Sequence, residues 1–254
     1  MTKISNIQKG DSVFHKNERR ISILVFLLFI YLIYPFEMKA ISKDNKKYNR
    51  IYYADSTLQA EGWMIDNLES GYWYFYYPNG KTESIGNFKS GFKDGYWQFY
   101  HNNGQLKSEG KYRGSKESGY WKTFTSTGKL LSEGNCKHGK KNGFWKFYFE
   151  NGKLKEEGEI VDDTIKGHWK FYQFNGLLKE EGSFEKGLRV GWWKQYGLEG
   201  ELIAEGPYRN GLKNGHWKLF KGDYIESEGN YISGIKKFTW TFYQDGDFDH
   251  IYQY

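Results

Sequence analysis

The sequence predicts an all-β protein: an elongated antiparallel β-meander of tandem 24-residue hairpin repeats, preceded by one N-terminal hydrophobic helix. Three observations predict it. Tryptophan recurs at Trp73, Trp97, Trp121, Trp145, Trp169, Trp193 and Trp217, each 24 residues after the last, and Trp240 follows after 23; a fixed period of this length marks a repeat architecture. Glycine keeps the same beat, two residues before each Trp from Gly71 to Gly215, and again, after a glutamate in most units, at Gly86, Gly110, Gly134, Gly158, Gly182 and Gly206. In each unit an aromatic-rich run meets a turn, Asn-Gly at Asn79-Gly80, Asn103-Gly104, Asn151-Gly152 and Asn175-Gly176, and a second short run follows. Asn-Gly between two such runs predicts a two-residue type I′ hairpin turn, which needs φ > 0 at both central residues.

That turn predicts a register. With Asn103 and Gly104 as the loop, Trp97 faces Gly110, Phe99 faces Ser108 and Gly95 faces Tyr112, so large rings meet small residues. An indole seated over glycine gives a reason for glycine inside a strand, where it is otherwise unfavourable. On the other face the residue after Trp meets the glutamate: Lys122 with Glu133, Lys146 with Glu157, Lys170 with Glu181, Lys194 with Glu205. Opposite charges across strands are worth roughly 0.2–1 kcal/mol each. Arg50 faces Glu61 in the same way, with Asn49 where Trp would stand, so residues 49–70 read as a degenerate cap before eight repeats over 71–254.

Period-2 alternation then sorts two faces. The buried one carries the eight tryptophans, Phe75, Phe99, Phe147, Phe171 and Phe242, and the leucines Leu106, Leu130, Leu154, Leu178 and Leu202. The other carries Lys, Glu and the tyrosines Tyr96, Tyr100, Tyr120, Tyr148, Tyr172 and Tyr196. Composition fits a thin, ring-packed sheet: 31 Gly against 3 Pro, 20% aromatic and only 38% apolar residues. About 16 strands at ~4.8 Å give a body about 77 Å long.

The formal charge of +6 does not imply nucleic acid. Residues 1–50 hold 10 Lys/Arg against 4 Asp/Glu, whereas residues 51–254 hold 27 of each, so the repeats lack the basic stripe that phosphate binding needs. The lone Cys136 stands where other units have Tyr, Phe or Ile, and reads as a small buried hydrophobe. Ahead of the repeats, a basic segment 1–20 leads into Ile21–Phe36, apolar apart from Ser22 and Pro35, and then a linker over 37–48. As a helix those 16 residues reach about 24 Å, against a hydrocarbon core of roughly 30 Å. The long stretch before the run, Tyr31 and Tyr34 near its far end, and the lack of a small-x-small site before Ala40 favour a retained single-pass anchor over a cleaved signal peptide. Arg19 and Arg20 at its border place the N-terminus inside and the repeats outside the cytoplasm.

The recurring G-x-W-x-F-Y, N-G-x-L-x-x-E-G-x-Y and x-x-G-x-x-x-G, as in GYWQFYHNNGQLKSEGKYRG from Gly95, resembles the bacterial variant of the MORN (membrane occupation and recognition nexus) repeat over about residues 49–254. The resemblance implies an elongated antiparallel sheet used for protein contacts, near membranes in eukaryotic relatives and in antitoxin-like or immunity-like roles in bacteria. It brings no catalytic residues. The sequence departs from the pattern at Asp163 in place of a loop glycine, at Phe238 in place of the glycine before Trp240, and in the last strand, where Glu-Gly is missing.

No chemistry-bearing constellation competes. The neighbours Glu156/Glu157 and Glu180/Glu181 point to opposite faces of a strand, and the six histidines have no metal-ligand spacing. The expectation is therefore a membrane-tethered scaffold without catalytic, metal or cofactor residues that binds protein partners through the tyrosine face. Two alternatives remain open: an immunity or antitoxin-like protein that neutralises a toxin, and a module for cell-wall glycan or a lipid surface.

Overall fold

The computed structural model describes residues 45–254; the basic segment 1–20, the apolar run 21–36 and the linker up to residue 44 lie outside the described residues. Every described run of alternating residues forms a strand. Nineteen strands, numbered β1–β19 in chain order from β1 (Lys46–Tyr52) and β2 (Leu58–Ile65) to β18 (Ile235–Gln244) and β19 (Asp247–Gln253), make one sheet. Strands joined by a turn pair antiparallel, as β5 (Phe92–Tyr100), β6 (Leu106–Arg113) and β7 (Lys116–Phe124) do. The count exceeds the expected 16 because the cap hairpin adds β1 and β2 ahead of the eight repeats, and one strand is split at Asn214 into β15 (Leu212–Lys213) and β16 (Gly215–Lys221). No helix among the described residues is long and apolar enough to cross a membrane.

The register is the expected one, but the turn is not. Trp97 pairs with Gly110, Phe99 with Ser108 and Gly95 with Tyr112. Asn79, Asn103, Asn151 and Asn175 do not adopt positive φ, whereas the glycines after them do. His101 N–H donates to the Gln105 carbonyl and Gly104 N–H to that of His101, which makes a three-residue loop ending in a left-handed glycine. This loop alone would shift the pairing by one; an extra residue in β6, between Leu106 and Ser108, shifts it back. The asparagines serve another purpose. Asn103 Oδ1 accepts from Gln105 N–H, and its Nδ2 donates to the Ser126 carbonyl in the next unit's loop; Asn79, Asn151 and Asn175 repeat both bonds.

The type I′ turns sit between units instead. Ser90-Gly91, His138-Gly139, Lys186-Gly187 and Asn210-Gly211 all have both residues at positive φ. Asp163 does occupy a left-handed position, at φ 66°, as does Phe238, at φ 61° in the column of Gly71, Gly95 and Gly119.

The extra residue also corrects the leucines. Leu106, Leu130, Leu154, Leu178 and Leu202 pair with Tyr100, Phe124, Tyr148, Tyr172 and Tyr196, on the Lys/Glu face. The bulge reverses the alternation that would have turned them toward the tryptophans.

The indole face is the core. All eight repeat tryptophans are 0–4% exposed, and Phe99, Phe147, Phe171 and Phe242 pack against them. Each indole lies over the glycine of the preceding unit, not over the one across its own hairpin: a Cβ added at Gly134 would stand 2.4 Å from the Trp145 ring. The sheet register jumps beside this glycine, and the indole N–H takes the carbonyl at the break: Trp97 to Asn87 at 3.0 Å, Trp145 to Asn135 at 2.9 Å, Trp217 to Pro207 at 2.9 Å. Cations cover the outer side, with Lys93, Lys141, Arg189, Lys213 and Lys236 3.9–4.8 Å from the ring centres of Trp97, Trp145, Trp193, Trp217 and Trp240. A single layer can therefore bury its rings, because neighbouring units and lysine stems supply the cover.

Candidate partner-contact face

The opposite face is built on the glutamate column. Glu133 stands between Lys122 and Lys146, Glu157 between Lys146 and Lys170, and Glu181 between Lys170 and Lys194. The columns are in step, yet of the four expected ion pairs only Lys146 and Glu157 come within 4 Å, at 3.8 Å. Phenols take the carboxylates instead. Tyr148 donates to Glu133 at 2.6 Å, Tyr172 to Glu157 at 2.8 Å and Tyr196 to Glu181 at 3.1 Å; Tyr76 and Tyr243 do the same with Glu61 and Glu228. A rigid ring loses less freedom in making such a bond than a lysine does, and the ammonium keeps its water.

In four units the residue before Trp reaches the glutamate column from the other side. Tyr96 donates to Glu109, and the Trp192 indole N–H to Glu205 at 3.3 Å; His168 and His216 lie 3.2 and 3.1 Å from Glu181 and Glu228. These contacts set the titration of the face. Burial, then the Glu partner, push Tyr96, Tyr172 and Tyr196 up to about 12, and Tyr148 rises for the same reasons. The Tyr148 hydroxyl holds Glu133 below the usual carboxylate range.

The six expected contact tyrosines thus fall into two groups. Tyr100, Tyr148, Tyr172 and Tyr196 are half-buried and committed to neighbours, Tyr100 to Gln98. Tyr96 and Tyr120 are 46% and 49% exposed. They belong to a column that also presents Tyr72, Phe144 and Trp192, each more than half exposed, one ring per unit. Sequence reasoning placed His168 and His216 in this column, where other units have Tyr or Phe, but took only Tyr96 and Tyr120 of it as contacts. Between Tyr96 and Tyr120, a hollow of ≈ 370 Å³ is lined by Glu109, Lys111, Gly119 and Lys122. Cys136 is buried in the indole face, and burial pushes its thiol up to about 12.

The profile of the MORN repeat variant matches residues 69–90, 93–113 and 141–162. The chain carries MORN-variant repeats. The remaining units share the Trp, Gly and Glu registers of the matched ones through Trp240. No curated protein matches. Among solved structures, one titled TcdB2-TccC3-Cdc42 is 13% identical with a TM-score of 0.21, over 78% of this chain and 12% of that one. The Photorhabdus luminescens Tc holotoxin pore with the TccC3-D651A mutation gives the same identity, TM-score and coverage. The chain thus spans about an eighth of those proteins, and at such TM-scores the likeness carries no argument.

Proposed function

We propose that this protein is a non-catalytic MORN-variant scaffold that binds a protein partner through the exposed ring column, tethered at a membrane by the apolar segment 21–36. One observation carries the reading: Tyr72, Tyr96, Tyr120, Phe144 and Trp192 present an outward ring in five units, on a face where Tyr148, Tyr172 and Tyr196 are held by carboxylates. Rings held at their polar tips, as Tyr96 and Trp192 are, make good contact anchors because little side-chain freedom is lost on binding. The hollow beside Tyr96 and Tyr120 gives a partner side chain somewhere to sit. The apolar run and its twin arginines support the tether, with the repeats outside the cytoplasm.

The test is capture of partners by the full chain, solubilised from its membrane fraction, against a Tyr96→Ala/Tyr120→Ala variant. Loss of a specific protein from the variant, with its unfolding midpoint unchanged, supports the reading. Retention of every captured protein, or recovery of the full chain only in the soluble fraction, contradicts the contact face or the tether respectively.

A further inference from the structure

The interior of the sheet alternates two kinds of strand. One carries the indole; the next carries the glycine that the following indole covers, as Gly110 in β6 lies under Trp121 in β7. The two outermost described strands keep this alternation but exchange the sizes. β1 is of the indole kind, with Asn49 in the tryptophan column, paired with Gly62. β19 is of the glycine kind, with Tyr252 in the glycine column, paired with Trp240. A β19 followed by a β1 is therefore the order that the meander already uses, and it puts a large ring against a small side chain once more.

Charge points the same way. β1 contains Lys46, Lys47 and Arg50 and no acid, whereas β19 contains Asp247 and Asp249 and no Lys or Arg, with Asp245 in the turn before it. Both strands also leave apolar groups exposed: Ile51 and Tyr52 on β1, Phe248, Ile251 and Tyr252 on β19. Neither outer edge has a strand partner among the described residues. Such an edge, hydrophobic and with unpaired N–H and C=O groups, is a template for another strand. Tyr254 adds a further incomplete contact. Its ring packs edge-on against Trp240 at 6.3 Å, in the column of Tyr231, which in the interior also touches the next unit's indole.

We infer that copies of this chain join head to tail, β19 of one copy pairing antiparallel with β1 of the next, so that the repeat sheet continues across molecules. Tyr252 faces Asn49 in the junction, which sets His250 against Ile51 and Ile251 against Arg50. Pairing of identical edges is disfavoured, because either one sets two strands of the same kind and the same sign of net charge side by side. A head-to-tail contact between different edges does not close on itself, so it generates open chains of copies. This surface is separate from the ring column, and the inference does not rest on the proposed partner.

Disulfide trapping tests it, using the full chain in detergent micelles. Ile51→Cys and His250→Cys are made in separate proteins, leaving Asn49, Tyr252 and the charged residues in place; the native Cys136 is buried. On oxidation the mixture is expected to form a linked dimer, each protein alone to stay unlinked, and the double variant to give a ladder. Asp249 lies diagonally across from Arg50 in this register, so adding Asp249→Lys to the His250→Cys protein is expected to reduce trapping about threefold, and Arg50→Glu in the Ile51→Cys protein to restore it. Tryptophan fluorescence checks that each variant is folded. The inference is overturned if the mixture links no better than the single proteins, if His250→Cys links to itself as well as to Ile51→Cys, or if the charge reversals leave the yield unchanged.

Discussion

The two faces of this sheet share the same strands, yet one tolerates almost no variation and the other changes from unit to unit. On the indole face the same residue type returns eight times, because the ring must lie on a glycine, bond the carbonyl at the register break and be covered by its neighbours. On the other face the column before Trp runs Tyr72, Tyr96, Tyr120, Phe144, His168, Trp192, His216, Thr239. Only the glutamate and its phenol stay nearly constant there. The difference shows where the fold is held and where identity is written: a buried ring has to satisfy shape and hydrogen bonding together, while the exposed position accepts several kinds of side chain.

This contrast can be broken in order of size. Trp145→Ala leaves an interior cavity and an unpaired Asn135 carbonyl, and is expected to destabilise by about 3–5 kcal/mol in urea unfolding. Tyr120→Ala, on the exposed column, should change stability by about 0.5 kcal/mol or less in the same assay. Comparable losses at both positions would erase the distinction between the faces. Gly134→Ala places a Cβ 2.4 Å from the Trp145 ring, and an overpacking cost of about 1–3 kcal/mol is expected although a single methyl is added. A neutral result would show that the indole does not sit on that glycine.

A smaller effect than either core substitution sharpens the charged face. Tyr148→Phe keeps the ring and removes the bond to Glu133, for an expected loss of about 0.5–1.5 kcal/mol near neutral pH. Glu133 titrates lower in the folded chain than its ordinary 4.5, so its contribution is present above that value and is lost as the pH falls through the folded one. Tyr96, Tyr172 and Tyr196 titrate higher than their ordinary 10, so theirs is present below pH 10 and disappears as the pH rises toward about 12. Stability should therefore be level between about pH 5 and 10 and fall on both sides. Tyr148→Phe should flatten the acid limb, and an unchanged acid limb would remove the phenol from the account.

Much of the fold was legible because a 24-residue beat and a period of two leave few alternatives. The pairing of Trp97 with Gly110 and the alignment of Lys122 with Glu133 followed from counting alone. The turn did not: Asn103-Gly104 was read as a two-residue loop, whereas the loop has three residues and a bulge near Leu106 cancels the offset. Two errors of one residue cancelled in the register and survived in the side chains, which is why the leucines were assigned to the wrong face. The ion pairs were misread for a related reason. Facing positions in a register say which groups are close, not which of two donors, Lys146 or Tyr148, wins the carboxylate.

By itself, then, the sequence determined the repeat length, the antiparallel meander and the burial of the tryptophan column, since these depend on periodicity and on the hydrophobicity of large rings. Only the tertiary structure decided that each indole covers the glycine of the unit before it, that phenols hold the carboxylates, and that Tyr96 and Tyr120 remain open while Tyr148 and Tyr172 do not. The reason is geometric. A glycine has an indole strand on each side at the same register position, and the sequence cannot distinguish them; the bulges and the jump in pairing turn the ring toward one, and that choice makes separate hairpins into a single sheet.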